Sequence, residues 1–239
     1  GMAVSLVALP VLTNLLSTAE MGIATSFITL KNIVTIILLL AMYISIDKIF
    51  VSVKDYNERY KYLSSMYIFS TIVAILIYIV YFIFQVPINK ILGFNTQMMT
   101  LMVVMCILIN GCTLMVANWN FCNKAKYTFL YNLLASPISQ ILSIILVLIL
   151  PSEKYLGRII GVDFFNIVLG FVCGIVILKK GKRAFNKNYI KESLQISLPM
   201  IPHLLSQIFL SSCDLLMIKS IVGEASAGIY SVSYTISNI

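Results

Sequence analysis

A lysine inside a long apolar segment is the first residue of this 239-residue chain that could do chemistry. Lys31 lies nine residues after Gly22, ~13 Å of helix rise from that end of the segment. A charge at the centre of a bilayer costs about 2.5–3.5 kcal/mol, so such groups usually face a bundle interior or a wet cavity. Lys31 and Asn32 therefore predict either a cation that contacts an anionic substrate, or a structural lysine paired with an acid on another helix.

A second set of polar residues follows one apolar segment at spacings of four, four and three: His203, Gln207, Ser211 and Asp214. These spacings place all four on one helical face, and exposing that face to acyl chains would be costly. We expect the face to line a cavity for substrate or cation coupling, or else a helix–helix seam with hydrogen bonds worth ~0.6 kcal/mol each. Asp163 follows Arg158 by five residues, and we expect these two to pair near the membrane surface in a structural role.

Besides Pro10 in the first apolar segment, three prolines lie within apolar segments: Pro137, Pro199 and Pro202. A proline removes a backbone hydrogen bond and bends or breaks a helix. Interrupted helices in membrane transporters point to a binding site and a moving part, although an ordinary kink has the same signature. We expect these prolines to act as conformational hinges.

The elements that position these residues are membrane helices. The chain is 60% hydrophobic, 11% charged and has a mean hydropathy of +0.97, whereas soluble domains carry about 25% charged residues. Eight apolar segments occupy residues 1–16, 24–46, 63–84, 98–117, 129–150, 156–178, 194–220 and 225–239. They are continuous rather than alternating and the complete ones have spanning length, which predicts an all-α polytopic transmembrane helix bundle. We expect the first and last segments to be partial spans of a chain cut at both ends.

The loops between these segments carry the orientation signal. Twelve lysines and arginines lie in one alternating set of loops and four in the other, and residues 179–191 form the largest basic block. An excess of positive charge marks the cytoplasmic side, so the multi-pass chain is expected to have a cytoplasmic N-terminus. The net charge of +8 is spread over these short loops, which argues against nucleic acid as a partner.

Soluble catalytic chemistry has no signature here. The sequence lacks a glycine-rich phosphate loop, a metal-ligand cluster and a nucleophile–base set, and the five cysteines have no ligand or pairing spacing. We therefore expect no catalytic residues, no metal site and no cofactor. A polytopic membrane enzyme of glycan assembly stays an alternative from a different class, with His203 as the one candidate base.

Two peptides of the chain match each other. Residues 22–33 read GIATSFITLKNI and residues 228–239 read GIYSVSYTISNI, with five of twelve positions identical. They open the second and eighth apolar segments, which predicts two parallel six-helix repeats, of which the first and the start of the second are present. The expected division is a first bundle at 1–178, a basic cytoplasmic linker at 179–193, and the start of a second bundle at 194–239.

Two parts of the sequence resemble a known family. The turn LLSTAEMG at residues 15–22 looks like that family's L-S-x-x-E-aromatic-G turn, with Met21 in place of the aromatic residue. SLPMIP at 197–202, SCD at 212–214, GE at 223–224 and AGIY at 227–230 resemble the start of the second half of bacterial polysaccharide-export flippases. These flippases belong to the multidrug/oligosaccharidyl-lipid/polysaccharide exporter superfamily. Leu215 follows Asp214 where a basic residue is frequent, which places a local ion pair there in doubt.

The resemblance implies two helical bundles around a central cavity in the bacterial plasma membrane. It implies flipping of undecaprenyl-diphosphate-linked oligosaccharide by alternating access, with Na⁺ or H⁺ as a possible coupling ion and lipids as further partners. Lys31 would then contact the diphosphate, and the face of His203, Gln207 and Asp214 would line the pathway or couple a cation. A drug or metabolite antiporter of the same superfamily is the alternative: a mainly cationic cavity favours lipid diphosphate, and an acidic one favours cationic drugs.

Overall fold

The computed structural model describes residues 2–150 and 152–237, with side chains from Ala8 onward. Gly1, Pro151 and the last two residues of the second matching peptide, Asn238 and Ile239, lie outside the described residues. The described residues form ten α-helices: α1 Met2–Leu15, α2 Thr18–Leu38, α3 Ser45–Ile49, α4 Tyr56–Ile83, α5 Gln85–Leu92, α6 Thr96–Phe121, α7 Ala125–Ile149, α8 Lys154–Lys180, α9 Lys187–Ile221 and α10 Glu224–Ser237.

Over the described ranges the chain is helical and contains no strand, which confirms the all-α class. Six helices are long and apolar enough to cross a membrane: α2, α4, α6, α7, α8 and α9. Several exceed the apolar segments that predict them; α9 begins at Lys187 rather than at residue 194. Hydropathy detects only the lipid-facing length of a helix, so polar extensions escape it. The division of the chain at residues 178 and 193 stays a prediction.

The end of the second span differs from the prediction of 24–46, which is wrong at that boundary. Helix α2 ends at Leu38, and Leu40 and Ala41 adopt left-handed backbone angles, with φ of 52° and 48°. A 3₁₀ turn at Met42–Ile44 and α3 then follow. The turn contains no glycine or proline and its residues are apolar apart from the Tyr43 hydroxyl, so the apolar run hides the end of the helix.

Local sequence starts α2 by a reciprocal cap. The Ser17 backbone N–H donates to the Glu20 carboxylate at 2.8 Å, and the Glu20 backbone N–H donates to the Ser17 hydroxyl at 3.2 Å. This is the capping box that S-x-x-E encodes. The cap separates α1 from α2 at a point where the surrounding sequence is otherwise mostly apolar, and it fixes the start of the first matching peptide.

The chain divides into two compact units. The first comprises Gly1–Asn32, Phe129–Phe165 and Gln207–Ile239. Within it, α8 approaches α7 through Gly157 and Gly161; a Cβ on Gly161 would lie 2.3 Å from the Cα of Ser143. A pair of glycines four residues apart lets two membrane helices meet backbone to backbone, which explains this contact.

The second unit comprises Ile33–Thr128 and Asn166–Ser206. A further glycine contact joins α6 to α8 there: a Cβ on Gly170 would lie 2.2 Å from the carbonyl oxygen of Leu108. The buried Asn110 amide donates to the buried Ser70 hydroxyl at 2.8 Å, linking α6 to α4. Close backbone packing and an interhelical hydrogen bond hold this unit together where burial from water contributes little.

Candidate functional site

The two matching peptides lie against each other in the first unit. A Cβ on Gly22 would lie 1.9 Å from the carbonyl oxygen of Glu224, and a Cβ on Gly228 would lie 1.9 Å from that of Thr18. Each carbonyl belongs to the residue four positions before the opposing glycine, so the contact between α2 and α10 is reciprocal. Only glycine permits this approach, because any side chain would overlap the facing backbone.

Hydroxyl groups at equivalent positions of the two peptides line one cavity beyond this crossing. Thr25 and Thr29 lie three and seven residues after Gly22, and Ser231 and Thr235 lie three and seven residues after Gly228. All four contribute to a cavity of about 260 Å³ that α2, α8, α9 and α10 enclose together. The spacing puts each pair on the same helical face as its glycine. Equivalent positions of the two peptides thus contribute equivalent hydroxyl groups to the cavity lining.

Arg158 supplies a cation to this cavity. Its guanidinium donates to the Gln140 side-chain oxygen at 2.7 Å and to the Ser143 hydroxyl at 3.0 Å. Its Nε is enclosed and has no hydrogen-bond partner among the described residues. Arg158 also lines an adjoining cavity of about 170 Å³. No carboxylate of the described residues forms a salt bridge with Arg158, so its charge is balanced only by neutral oxygens.

Lys31 is bound to an acid. Its ammonium forms an ion pair with the Asp163 carboxylate, joining α2 to α8, and the two side chains are only 8% and 7% exposed. The expected pairing of Asp163 with Arg158 is therefore wrong. Residues five apart on an α-helix point about 140° away from each other, so the two side chains leave α8 in different directions. Asp163 is also buried rather than interfacial.

Comparison with known proteins adds the family. A profile described as polysaccharide biosynthesis protein matches residues 1–239. This chain belongs to that family. The match confirms the resemblance drawn from the sequence, and together with six helices of spanning length it identifies a multi-pass membrane protein of polysaccharide biosynthesis. Members are generally of the transporter type rather than catalytic. No curated protein and no solved structure matches the chain significantly.

The other expected site residues of this polysaccharide biosynthesis protein lie elsewhere. His203, Gln207, Ser211 and Asp214 do share a face of α9, and all four are exposed. Of these, Ser211 lines the Arg158 cavity. Asp214 accepts a hydrogen bond from the Tyr230 hydroxyl at 3.0 Å. Lys31 is buried and Asn32 is exposed, and the cavity lining includes neither.

The three prolines lie inside helices that continue past them. Pro137 is in α7, and Pro199 and Pro202 are in α9, which runs unbroken from Lys187 to Ile221. Of the two expected effects of these prolines, a bend or a break, the continuous backbone of α9 leaves room only for a bend. Their role as hinges stays a prediction.

The sequence analysis missed Arg158 as a cavity residue. The signal was present in the segment GRIIG, where Gly157 and Gly161 flank Arg158. A small-xxx-small motif predicts a close helix contact, and a basic residue beside that contact is carried toward the bundle interior. Counting Arg158 with the loop charges concealed this.

Proposed function

We propose that this protein flips an undecaprenyl-diphosphate-linked oligosaccharide across the bacterial plasma membrane by alternating access, for assembly of a capsule, O-antigen or related glycan. It acts as a transporter and not as an enzyme. The observation that carries the proposal is Arg158, a guanidinium that faces a hydroxyl-lined cavity and lacks a carboxylate partner among the described residues.

Arg158 suits a diphosphate for electrostatic reasons. A guanidinium forms paired, charge-assisted hydrogen bonds with phosphate oxygens, and such bonds are about twice as strong as neutral ones. The hydroxyls of Thr25, Ser231 and Thr235 donate to backbone carbonyl oxygens of their own helices, so their oxygens are available to accept hydrogen bonds from sugar hydroxyls. The cavity is cationic rather than acidic, which favours lipid diphosphate over a cationic drug as the substrate.

The other predicted site residues have supporting roles in this proposal. Lys31 is neutralised by Asp163, so it reaches the substrate only in a state in which that ion pair opens. Asp214, Gln207 and His203 form an exposed polar face along α9 that lines the rest of the pathway or couples Na⁺ or H⁺. The basic residues 179–191 lie on the cytoplasmic side, together with the N-terminus.

The proposal is tested by replacing the cation in the full-length protein. Arg158→Gln keeps a shorter, hydrogen-bonding side chain but removes the charge, and Arg158→Lys keeps the charge but not the paired geometry. A charge-assisted hydrogen bond contributes about 1.5–3 kcal/mol, so we expect export of surface glycan to fall roughly 10- to 100-fold in Arg158→Gln, with Arg158→Lys intermediate. The measurement is surface glycan in cells that depend on this protein.

A matched control is Arg183→Gln, which removes an arginine from the exposed loop between α8 and α9. It should leave export unchanged. Membrane levels and detergent elution profiles of all variants exclude a folding defect as the cause. Normal glycan export by a well-expressed Arg158→Gln protein would refute the assignment of Arg158 to the substrate.

A further inference from the structure

Another, larger cavity lies in the second unit, against the first turns of α9. It is an open cavity with a volume of about 560 Å³. Its walls are mostly apolar, with Phe69 from α4, Phe185 from the loop before α9, and Leu194 and Leu198 from α9. Two lysines, Lys187 and Lys191, also line it. No acidic side chain is among the described residues of this lining, so the cavity combines an apolar floor with uncompensated positive charge.

The loop wall of this cavity is held in place. The fully buried Ser65 hydroxyl of α4 accepts a hydrogen bond from the Asn186 N–H at 3.1 Å and lies 3.1 Å from the carbonyl oxygen of Ala184. These contacts clamp the residues on both sides of Phe185. Phe185 is 50% exposed, yet its backbone is fixed beside the cavity. An exposed aromatic ring anchored this way is preorganised for an apolar ligand.

The residues of α9 that line the cavity change in character along the helix. Lys187, Lys191, Leu194 and Leu198 are spaced by four, three and four residues, so they lie in one row. Charge comes first and apolar surface follows. The nearby carboxylate of Glu192 is turned away, since it accepts a hydrogen bond from the Tyr62 hydroxyl at 2.9 Å. This order matches an anionic lipid, in which the charged headgroup would lie beside the lysines and the acyl chain beside the leucines.

We infer that this cavity binds an anionic phospholipid of the cytoplasmic leaflet. Its phosphate contacts the ammonium groups of Lys187 and Lys191, and an acyl chain packs along Phe69, Phe185 and Leu198. The basic block that contains both lysines is expected on the cytoplasmic side, where anionic headgroups attract clustered lysines. This site is independent of the substrate proposed for the Arg158 cavity.

The test compares two phospholipids bound to the full-length protein. Purified protein is exposed to equal amounts of phosphatidylglycerol and phosphatidylethanolamine, and native mass spectrometry counts the lipids retained. We expect the wild type to prefer phosphatidylglycerol. Lys187→Gln/Lys191→Gln should reduce that preference about 30-fold, since each lysine near an anionic headgroup contributes about 1 kcal/mol. Phe185→Ala should weaken retention of both lipids.

The matched control is Lys179→Gln/Lys182→Gln, which removes the same charge from exposed positions of the same basic block outside the cavity. It should change the preference less than threefold. If both double variants lost the preference for phosphatidylglycerol equally, the preference would come from the general charge of the loop, and the proposed site would be wrong. A wild-type protein that retains both lipids equally, or neither, would overturn it too. Glycan export does not enter the readout, so the result is separate from the flippase proposal.

Discussion

Gly22→Ala is the sharpest test of the contact between α2 and α10. The added methyl carbon would lie 1.9 Å from the carbonyl oxygen of Glu224, whereas ordinary contacts begin near 3.4 Å, so the two backbones must separate by about 1.5 Å. Overpacking of this kind costs about 1–3 kcal/mol. For a chain of this size we expect the thermal unfolding midpoint to fall by roughly 3–10 °C.

The same separation should open the cavity beyond the crossing. A reporter cysteine at Thr25, in a background without the native cysteines, measures this through its rate of modification by a membrane-impermeant reagent added outside. We expect Gly22→Ala to raise that rate. Gly228→Ala should act likewise, and the double variant should cost less than the sum of the two, because one displacement relieves both overlaps.

Ala225→Ser is the control for these variants, since Ala225 belongs to the same turn of α10 but has an exposed side chain. It should change neither stability nor labelling. If Gly22→Ala matched wild type in both measurements, the close backbone contact between α2 and α10 would be refuted. If the two glycine variants were strictly additive, the reciprocal geometry would be refuted even with a destabilised protein.

Three further predictions concern buried polar groups and a glycine contact, each measured as a thermal unfolding midpoint in detergent. Lys31→Met should lower the free energy of unfolding by about 3–5 kcal/mol, because it leaves the buried Asp163 carboxylate without a partner. Lys31→Met/Asp163→Leu should recover much of that loss. A double variant less stable than Lys31→Met would contradict this. Gly170→Ala should cost about 1–3 kcal/mol by overlap with α6, and unchanged stability would argue against that contact. Asn110→Ala should cost about 0.5–1.5 kcal/mol by removing the hydrogen bond that its amide donates to Ser70, whose hydroxyl still donates to the Met66 carbonyl oxygen. Ser70→Ala/Asn110→Ala should be no worse than the single variant, and a strictly additive loss would contradict the contact.

Much of the fold follows from hydropathy alone. Continuous apolar runs must be helices in lipid, and the six spanning helices are where the runs predict them. The end of α2 could not be found this way, because Leu40 and Ala41 reverse the chain without glycine or a polar break. Hydropathy reports burial or lipid contact and is blind to backbone direction. A left-handed cap built from apolar residues therefore reads as more helix.

The candidate site, like the fold, could be predicted from the sequence only in part. The high cost of a buried charge correctly draws attention to Lys31, and one of the two readings offered for it was a pair with an acid on another helix. Spacing could have excluded the pairing of Arg158 with Asp163, since helical residues five apart do not share a face. The segment GRIIG predicts a close helix contact beside Arg158, but the identity of the contacted helix, α7, is a tertiary fact that the sequence does not provide.

The matching peptides explain why some polar residues meet and others do not. Two positions that are identical in both copies lie together: Gly22 meets Gly228, and the hydroxyls of Thr29 and Thr235 line one cavity. Lys31 corresponds to Ser237, so the second copy offers it no carboxylate. Its charge is instead balanced from α8 by Asp163. A reciprocal contact favours identical small or neutral residues, because equal charges would repel each other there. In the proposed function the cation that contacts the substrate accordingly comes from a helix outside the matching pair, since Arg158 lies on α8.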